Sequence, residues 1–284
     1  MKQTELASPE GLSSWLSHGP GRVLLEREIA LTSSMLTNLF GYHMALIGSS
    51  AYAPALSASR IMQSSIVSPV VRGAAPVPLP ERASLLDAVP HALPFIADSI
   101  DVVLMPHVLE FTDNPHAALR EAQRVLVGEG HLILTGFNPF GALGLWRLCL
   151  QRRRQSPWDG RFLSMTRLKD WLALLGFDIV ATDTAFFRLP LHNQAFMDNT
   201  AFLESAGERL WPYLGGTYVI SAKKRLTTVT PIRPRWRRHR RLVSVGIAEP
   251  ASRAHLGAAR APPPRLVAVP KDDDAESQLG PSST

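Results

Sequence analysis

Two side chains that could take part in proton transfer follow a buried strand in the middle of this chain. His107 and Glu110 come shortly after the apolar run at 100–105, which is typical of a parallel strand covered on both faces. Open α/β sheets bind ligands at the carboxyl ends of such strands, so both side chains are expected beside a ligand cleft. His107 is therefore a candidate general base. The alternatives are a structural histidine and a histidine that contacts the substrate.

Other catalytic patterns are missing from the sequence. The single cysteine, Cys149, can form neither an internal disulfide nor a thiolate metal cluster, and it suits a reducing compartment. There is no metal-ligand spacing, no Ser-His-Asp order and no phosphate-binding loop. The sequence thus predicts no metal site.

The elements that position these residues alternate between strands and helices. Apolar runs predict strands at 43–48, 64–71, 100–105, 131–137, 178–187 and 217–223, and helical spacing predicts helices at 21–40, 113–127, 164–176 and 194–210. Gly41 is predicted to end the first helix, and residues 72–90 are predicted to be a Pro/Ala-rich loop. This order is that of an α/β protein with a doubly wound, mostly parallel sheet.

The net charge of +6 is concentrated near the C-terminus, where residues 223–241 contain many lysines and arginines and no acid. We expect an N-terminal extension at 1–20, one domain at 21–226, and a basic, mostly disordered tail at 227–284. The segment from Arg233 to Arg241 is a candidate contact for nucleic acid or an acidic surface. The alternative is a solvated tail.

The N-terminus has no signal-peptide core, and no window is a good transmembrane candidate. We therefore expect a soluble cytoplasmic protein. Residues 140–154 are apolar and aromatic before three arginines, which predicts a lid over an apolar substrate or an interfacial helix. The alternative is an ordinary surface helix packed on the sheet.

The stretch from Leu93 to Asn138 resembles the second half of class I S-adenosylmethionine (SAM)-dependent methyltransferases. Within that superfamily it is similar to the methyltransferase type 11 family. The matching residues are LPF at 93–95, IDVV at 100–103, HVLE at 107–110, and ExxRVL at 121–126 followed by Gly130. The resemblance implies a Rossmann-like, seven-stranded sheet whose last strand is antiparallel. It also implies SAM as the cofactor.

The glycine-rich loop of that family, D-x-G-x-G-x-G after the first strand, is degenerate in this chain. Leu46 stands at the position of the acid, and only Gly48 remains of the glycines. Ser50 and Tyr52 stand at the second and third glycine positions, and the tyrosine could fill the space of the methionine moiety.

Two further cofactor contacts of the family are displaced or missing. No acid occurs at 64–72, where the second strand should end, and Val89 stands at the position of the aspartate near the adenine amine. Asp87, two residues earlier, is a candidate substitute. The cofactor-binding residues implied by the resemblance are Gly48, Ser50, Asp87, Leu93 and Met105.

The resemblance implies SAM-dependent methyl transfer to an unidentified acceptor. Such chemistry depends mainly on proximity and orientation, so it needs no fixed triad. The alternative function is a catalytically inactive module on the same fold that binds a protein or RNA.

Overall fold

The computed structural model describes residues 9–68, 82–150, 158, 160–187, 209 and 211–226. The chain divides into two units, Met1–Val229 and Thr230–Thr284, and every described residue belongs to the first. The predicted tail at 227–284, the arginines at 152–154 and the predicted helix at 194–210, apart from Arg209, lie outside the described residues.

The described helices are distributed along the whole first unit. They are α1 (Pro9–Leu16), α2 (Gly19–Leu36), α3 (Ala53–Leu56), α4 (Val108–Phe111), α5 (Pro115–Val125), α6 (Ala142–Leu150) and α7 (Met165–Leu174), with 3-10 turns at Ser50–Tyr52 and Pro212–Leu214. None of them is long and apolar enough to cross a membrane.

The strands form a single seven-stranded sheet. They are β1 (His43–Ile47), β2 (Gln63–Val67), β3 (Ala83–Leu86), β4 (Ile100–Pro106), β5 (Leu126–Phe137), β6 (Phe177–Ala185) and β7 (Thr217–Lys224). Their order is β3-β2-β1-β4-β5-β7-β6, with β7 antiparallel to both of its neighbours. The predicted doubly wound, mostly parallel sheet with an antiparallel last strand is confirmed.

Both faces of this sheet are covered by apolar side chains, as the continuous apolar runs predicted. In β1, Ala45 belongs to one core and Leu46 to the other. On one face Leu119 of α5 is fully buried, and on the other Leu24 of α2 is fully buried.

The largest differences from the prediction concern β3, the end of α2 and the start of β5. Strand β3 lies in the stretch predicted as a loop, and α2 ends at Leu36, so Gly41 does not end it. Gly41 instead lies against Asp101, whose side chain occupies the space that a Cβ at this position would need. The Asp101 carboxylate accepts hydrogen bonds from the backbone N–H groups of Tyr42 (2.7 Å) and His43 (2.9 Å), and so ties the start of β1 to β4. Strand β5 begins five residues before the prediction, at Leu126.

An ion pair on α5 anchors the LPF loop that precedes β4. Glu121 accepts a hydrogen bond from the backbone N–H of Leu93 (2.9 Å). Arg124 binds Glu121 (2.7 Å) and donates to the backbone carbonyl of Phe95 (2.9 Å). The Glu121–Arg124 pair, at i,i+3 spacing on the helix, therefore fixes the path of this loop.

Candidate active site

A cavity opens at the carboxyl edge of the sheet between β1 and β4, where the strand order reverses. It encloses about 730 Å³, including the part open to solvent, and its wall is mainly apolar. Its wall consists of Leu12, Gly48, Ser49 and the residues at 89–91, 106–108 and 111–113. Doubly wound α/β proteins bind their ligands at this topological position.

Gly48 shapes the cavity at the end of β1. Its φ of +111° is unfavourable for other residues, and an added Cβ would lie 2.9 Å from the Val108 Cγ2. The next residue, Ser49, accepts a hydrogen bond from the backbone N–H of Ala51 and caps the following 3-10 turn. The loop after β1 thus lies directly against α4.

Helix α1, which falls in the predicted N-terminal extension, covers one side of the cavity. Leu12 lines the cavity and is almost fully buried. The hydroxyl groups of Ser13 and Ser49 are 2.9 Å apart, within hydrogen-bond distance. The Trp15 ring packs edge-on against Phe137. These contacts attach α1 to the site.

Behind the cavity wall, four buried titratable side chains form one hydrogen-bonded group, the Glu28 cluster: Glu28, Tyr52, His107 and Glu110. The His107 Nε2 lies 3.1 Å from the Glu28 Oε2, and its Nδ1 lies 3.2 Å from the Glu110 Oε2. The Tyr52 hydroxyl donates to Glu28, and the backbone N–H of Phe137 donates to Glu110. Every member has at most 3% of its surface exposed.

The carboxylates of the Glu28 cluster determine the charge of His107. Burial alone lowers the pKa of the imidazole, but Glu28 and Glu110 outweigh burial and raise this pKa to about 10. Burial, and then the charge of Glu28, raise the pKa of the Tyr52 phenol well above 10. His107 is therefore an imidazolium at neutral pH, and Tyr52 is a neutral phenol.

The predicted role of His107 as a general base does not fit this arrangement. A base needs an unprotonated nitrogen that can reach the substrate, whereas both imidazole nitrogens face buried carboxylates. These contacts favour the alternative of a structural histidine, and a catalytic role of His107 stays a prediction. Tyr52 also differs from the prediction, because its side chain lies against Glu28 and is not part of the cavity wall.

Of the five residues implied as cofactor contacts, the structure brings only Gly48 to the cavity wall. Asp87 is exposed after β3, and Met105 is fully buried within β4. Leu93 is buried, and its backbone N–H and carbonyl already bind Glu121 and Arg124. Ser50 lies in the 3-10 turn, outside the wall.

Several wall residues were not predicted from the sequence, among them Leu12, Ser49 and Asp113. Glu28 was also missed, although its spacing carried a signal. The buried positions of α2 include Leu24, Glu28, Thr32 and Leu36, at intervals of four residues. A glutamate on the apolar stripe of a helix needs a buried polar partner, so this spacing could have predicted a buried contact for Glu28.

The segment predicted as a lid contains α6, which packs on the domain through Leu143 and is not part of the cavity wall.

Asn138, which precedes this segment, joins the end of β5 to the chain that enters β7. Its Nδ2 donates to the carbonyls of Tyr213 (2.8 Å) and Gly215 (2.9 Å), and its Oδ1 accepts from the backbone N–H of Phe140 (3.1 Å). Asn138 is thus held within the fold.

A family model described as "Methyltransferase domain" matches residues 47–134, from the end of β1 into β5. The matched stretch contains most of the cavity wall. The chain belongs to the class I SAM-dependent methyltransferase superfamily. Among curated proteins it is similar to the uncharacterized protein YafS of Escherichia coli (strain K12), with 33% identity over 210 residues that span 74% of this chain and 78% of YafS.

Solved structures show the same fold at low identity. A SAM-dependent methyltransferase of Thermotoga maritima, described as a possible histamine N-methyltransferase, has 22% identity and a TM-score of 0.51, over 71% of this chain and 92% of its own. A chain from the complex of the Trm112 methyltransferase activator with a methyltransferase of Haloferax volcanii has 15% identity and a TM-score of 0.54, over 76% of this chain and 98% of its own.

Proposed function

We propose that this chain binds SAM in the cavity between β1 and β4 and transfers the methyl group to an acceptor that remains to be identified. The observation that carries the proposal is the position of the cavity, at the strand-order reversal of a methyltransferase fold and against a glycine with positive φ. Gly48 has no side chain, which lets α4 pack against the loop after β1 and close this side of the cavity.

The residues of the wall fit an adenosine-containing ligand. Val89, Val108 and Phe111 offer apolar surface to a base, and Asp113 and His91 add polar groups to the same wall. Tyr52 leaves the cavity free, since its side chain is turned to Glu28. The missing family carboxylates remove individual hydrogen bonds to the ligand.

The bound cofactor supplies an electrophilic methyl group on a sulfonium, and the chain contributes binding and orientation. Leu12 and Phe111 add apolar surface to the cavity wall. The wall fixes the direction in which an acceptor can approach, and in-line transfer depends mainly on this. Because His107 is already protonated, the acceptor loses its proton without the help of that residue.

Replacing Gly48 by tryptophan is expected to abolish the binding of SAM and of S-adenosylhomocysteine (SAH), because the indole would occupy the cavity beside Val108. Isothermal titration calorimetry of both ligands measures the loss. Gly176→Ala is the matched control, since Gly176 also has positive φ (+79°) but no atom within 4 Å of an added Cβ. This control carries similar backbone strain and should retain wild-type affinity.

Wild-type protein that binds neither ligand at millimolar concentration would contradict the proposal. Binding of both ligands without methyl transfer to any acceptor tested would favour the non-catalytic alternative.

A further inference from the structure

The turn from Pro106 to Val108 forms part of the cavity wall and has an unusual backbone. His107, its central residue, has φ +51° and ψ +25°. This is the left-handed backbone conformation, which residues other than glycine rarely adopt. Such a conformation persists only where the surroundings hold it, and it is frequent at functional sites.

The contacts of the His107 ring supply this restraint from two directions. Glu28 of α2, 79 residues away in sequence, holds Nε2, and Glu110 of α4 holds Nδ1. The ring also lies 4.1 Å from the Phe137 ring at the end of β5, measured between centroids. The turn is thus attached to α2 and to β5 through one imidazole.

We propose that Glu28 is a positioning residue for the cofactor: through its ion pair with His107 it holds the turn from Pro106 to Val108 in the shape that forms the cavity wall. Glu28 itself is fully buried and is not part of the wall, so its influence on the ligand passes through His107. This inference rests on the proposed function, because the ligand is the proposed cofactor.

The restraint depends on the protonation of His107. An imidazolium donates to both carboxylates, whereas a neutral imidazole can donate to only one. The titratable groups around the ring are Glu28 from α2, Tyr52 from the 3-10 turn and Glu110 from α4. Glu110 in turn accepts from the backbone N–H of Phe137, and its charge, after burial, raises the pKa of Tyr218 of β7.

In the wild type, His107 stays protonated far above neutral pH. Glu28→Gln keeps the size of the side chain and removes one of the two charges that oppose burial, so the pKa of His107 falls toward neutral pH. The turn should then loosen as the pH rises, because the imidazole loses the charge that strengthens its hydrogen bond to Glu110, and the glutamine at position 28 offers only a neutral partner to Nε2.

The test is calorimetric titration of SAH into full-length wild type and Glu28→Gln at several values between pH 6 and pH 9. We expect similar affinities at pH 6 and an affinity about tenfold weaker for the variant at pH 9, on the order of one lost charged hydrogen bond. Glu26→Gln, an exposed member of the Arg22 pair on the same helix, is the control and should follow the wild type at every pH.

A variant that matches the wild type throughout overturns the proposal. So does a variant weakened by the same factor at every pH, since that result indicates only a general loss of structure. If the wild type binds no SAH, the proposed function itself fails. If Glu28→Gln does not fold, nitrogen-15 NMR of the wild-type imidazoles decides: His107 should stay protonated through pH 9, and titration near neutral pH contradicts the inference.

Discussion

Replacing His107 by leucine is expected to destabilise the protein by about 3–5 kcal/mol, the usual effect of removing one partner from a buried ion pair. Leucine packs against Phe137 but leaves the carboxylates of Glu28 and Glu110 in the interior without their cation. The free energy of unfolding in urea at pH 7 measures the effect. A loss below about 1 kcal/mol, the size of an ordinary hydrogen bond, would show that the group is not ionised as described.

Tyr52→Phe is the comparison within the same cluster. It removes the hydrogen bond from the hydroxyl to Glu28 and leaves the charges unchanged, so it should destabilise by about 2 kcal/mol.

The His107→Leu variant also tests how the stability of the protein changes with pH. The pKa of His107 is raised on folding from 6.5 to about 10, so its contribution to stability is complete below pH 6.5 and is lost as the pH rises toward 10. The unfolding free energy of the wild type should therefore decline over this range. The leucine variant should lack that part of the decline.

Asn138→Asp is expected to destabilise by about 3 kcal/mol or more, although the two side chains have nearly the same shape. The amide nitrogen faces two carbonyl oxygens, those of Tyr213 and Gly215, and a carboxylate would place a third oxygen between them. Thermal or urea unfolding at pH 7 measures the loss. The loss should shrink near pH 5, because a protonated carboxyl group can donate to one of the carbonyls.

Asn114→Asp is the matched control for this substitution. Asn114 is exposed and caps α5 by accepting a hydrogen bond from the backbone N–H of Ala117 (3.0 Å), and aspartate caps a helix equally well. Its stability should stay close to that of the wild type. An Asn138→Asp protein that is as stable as this control would contradict the assigned orientation of the Asn138 amide.

The second half of the domain could be predicted from sequence because its signals are local. Strand β4 is a continuous apolar run, and the Glu121–Arg124 pair on α5 is three residues apart. Strand β3 was missed because it has only four residues, none of them fully buried, within a stretch rich in proline. A short, partly exposed strand has little apolar pattern.

The chemistry of His107 could not be predicted from its neighbours in sequence. Its position after β4 indicated a ligand site, and the residue does belong to the cavity wall. Its protonation depends on Glu28, which only the packing of α2 brings to the imidazole. A histidine at a strand end can be a base or a fixed cation, and long-range contacts decide between them.

The placement of β7 has a consequence for the order in which the domain can assemble on the ribosome. Among the described strands, β7 is the last to be synthesised, yet it lies between β5 and β6 and pairs with both. Until residues 217–224 emerge, β5 has an open apolar edge and β6 has no partner in the sheet. The nascent chain thus carries an aggregation-prone edge from the emergence of β5 until β7 emerges, and chaperone binding is expected to concentrate on β5 during that interval.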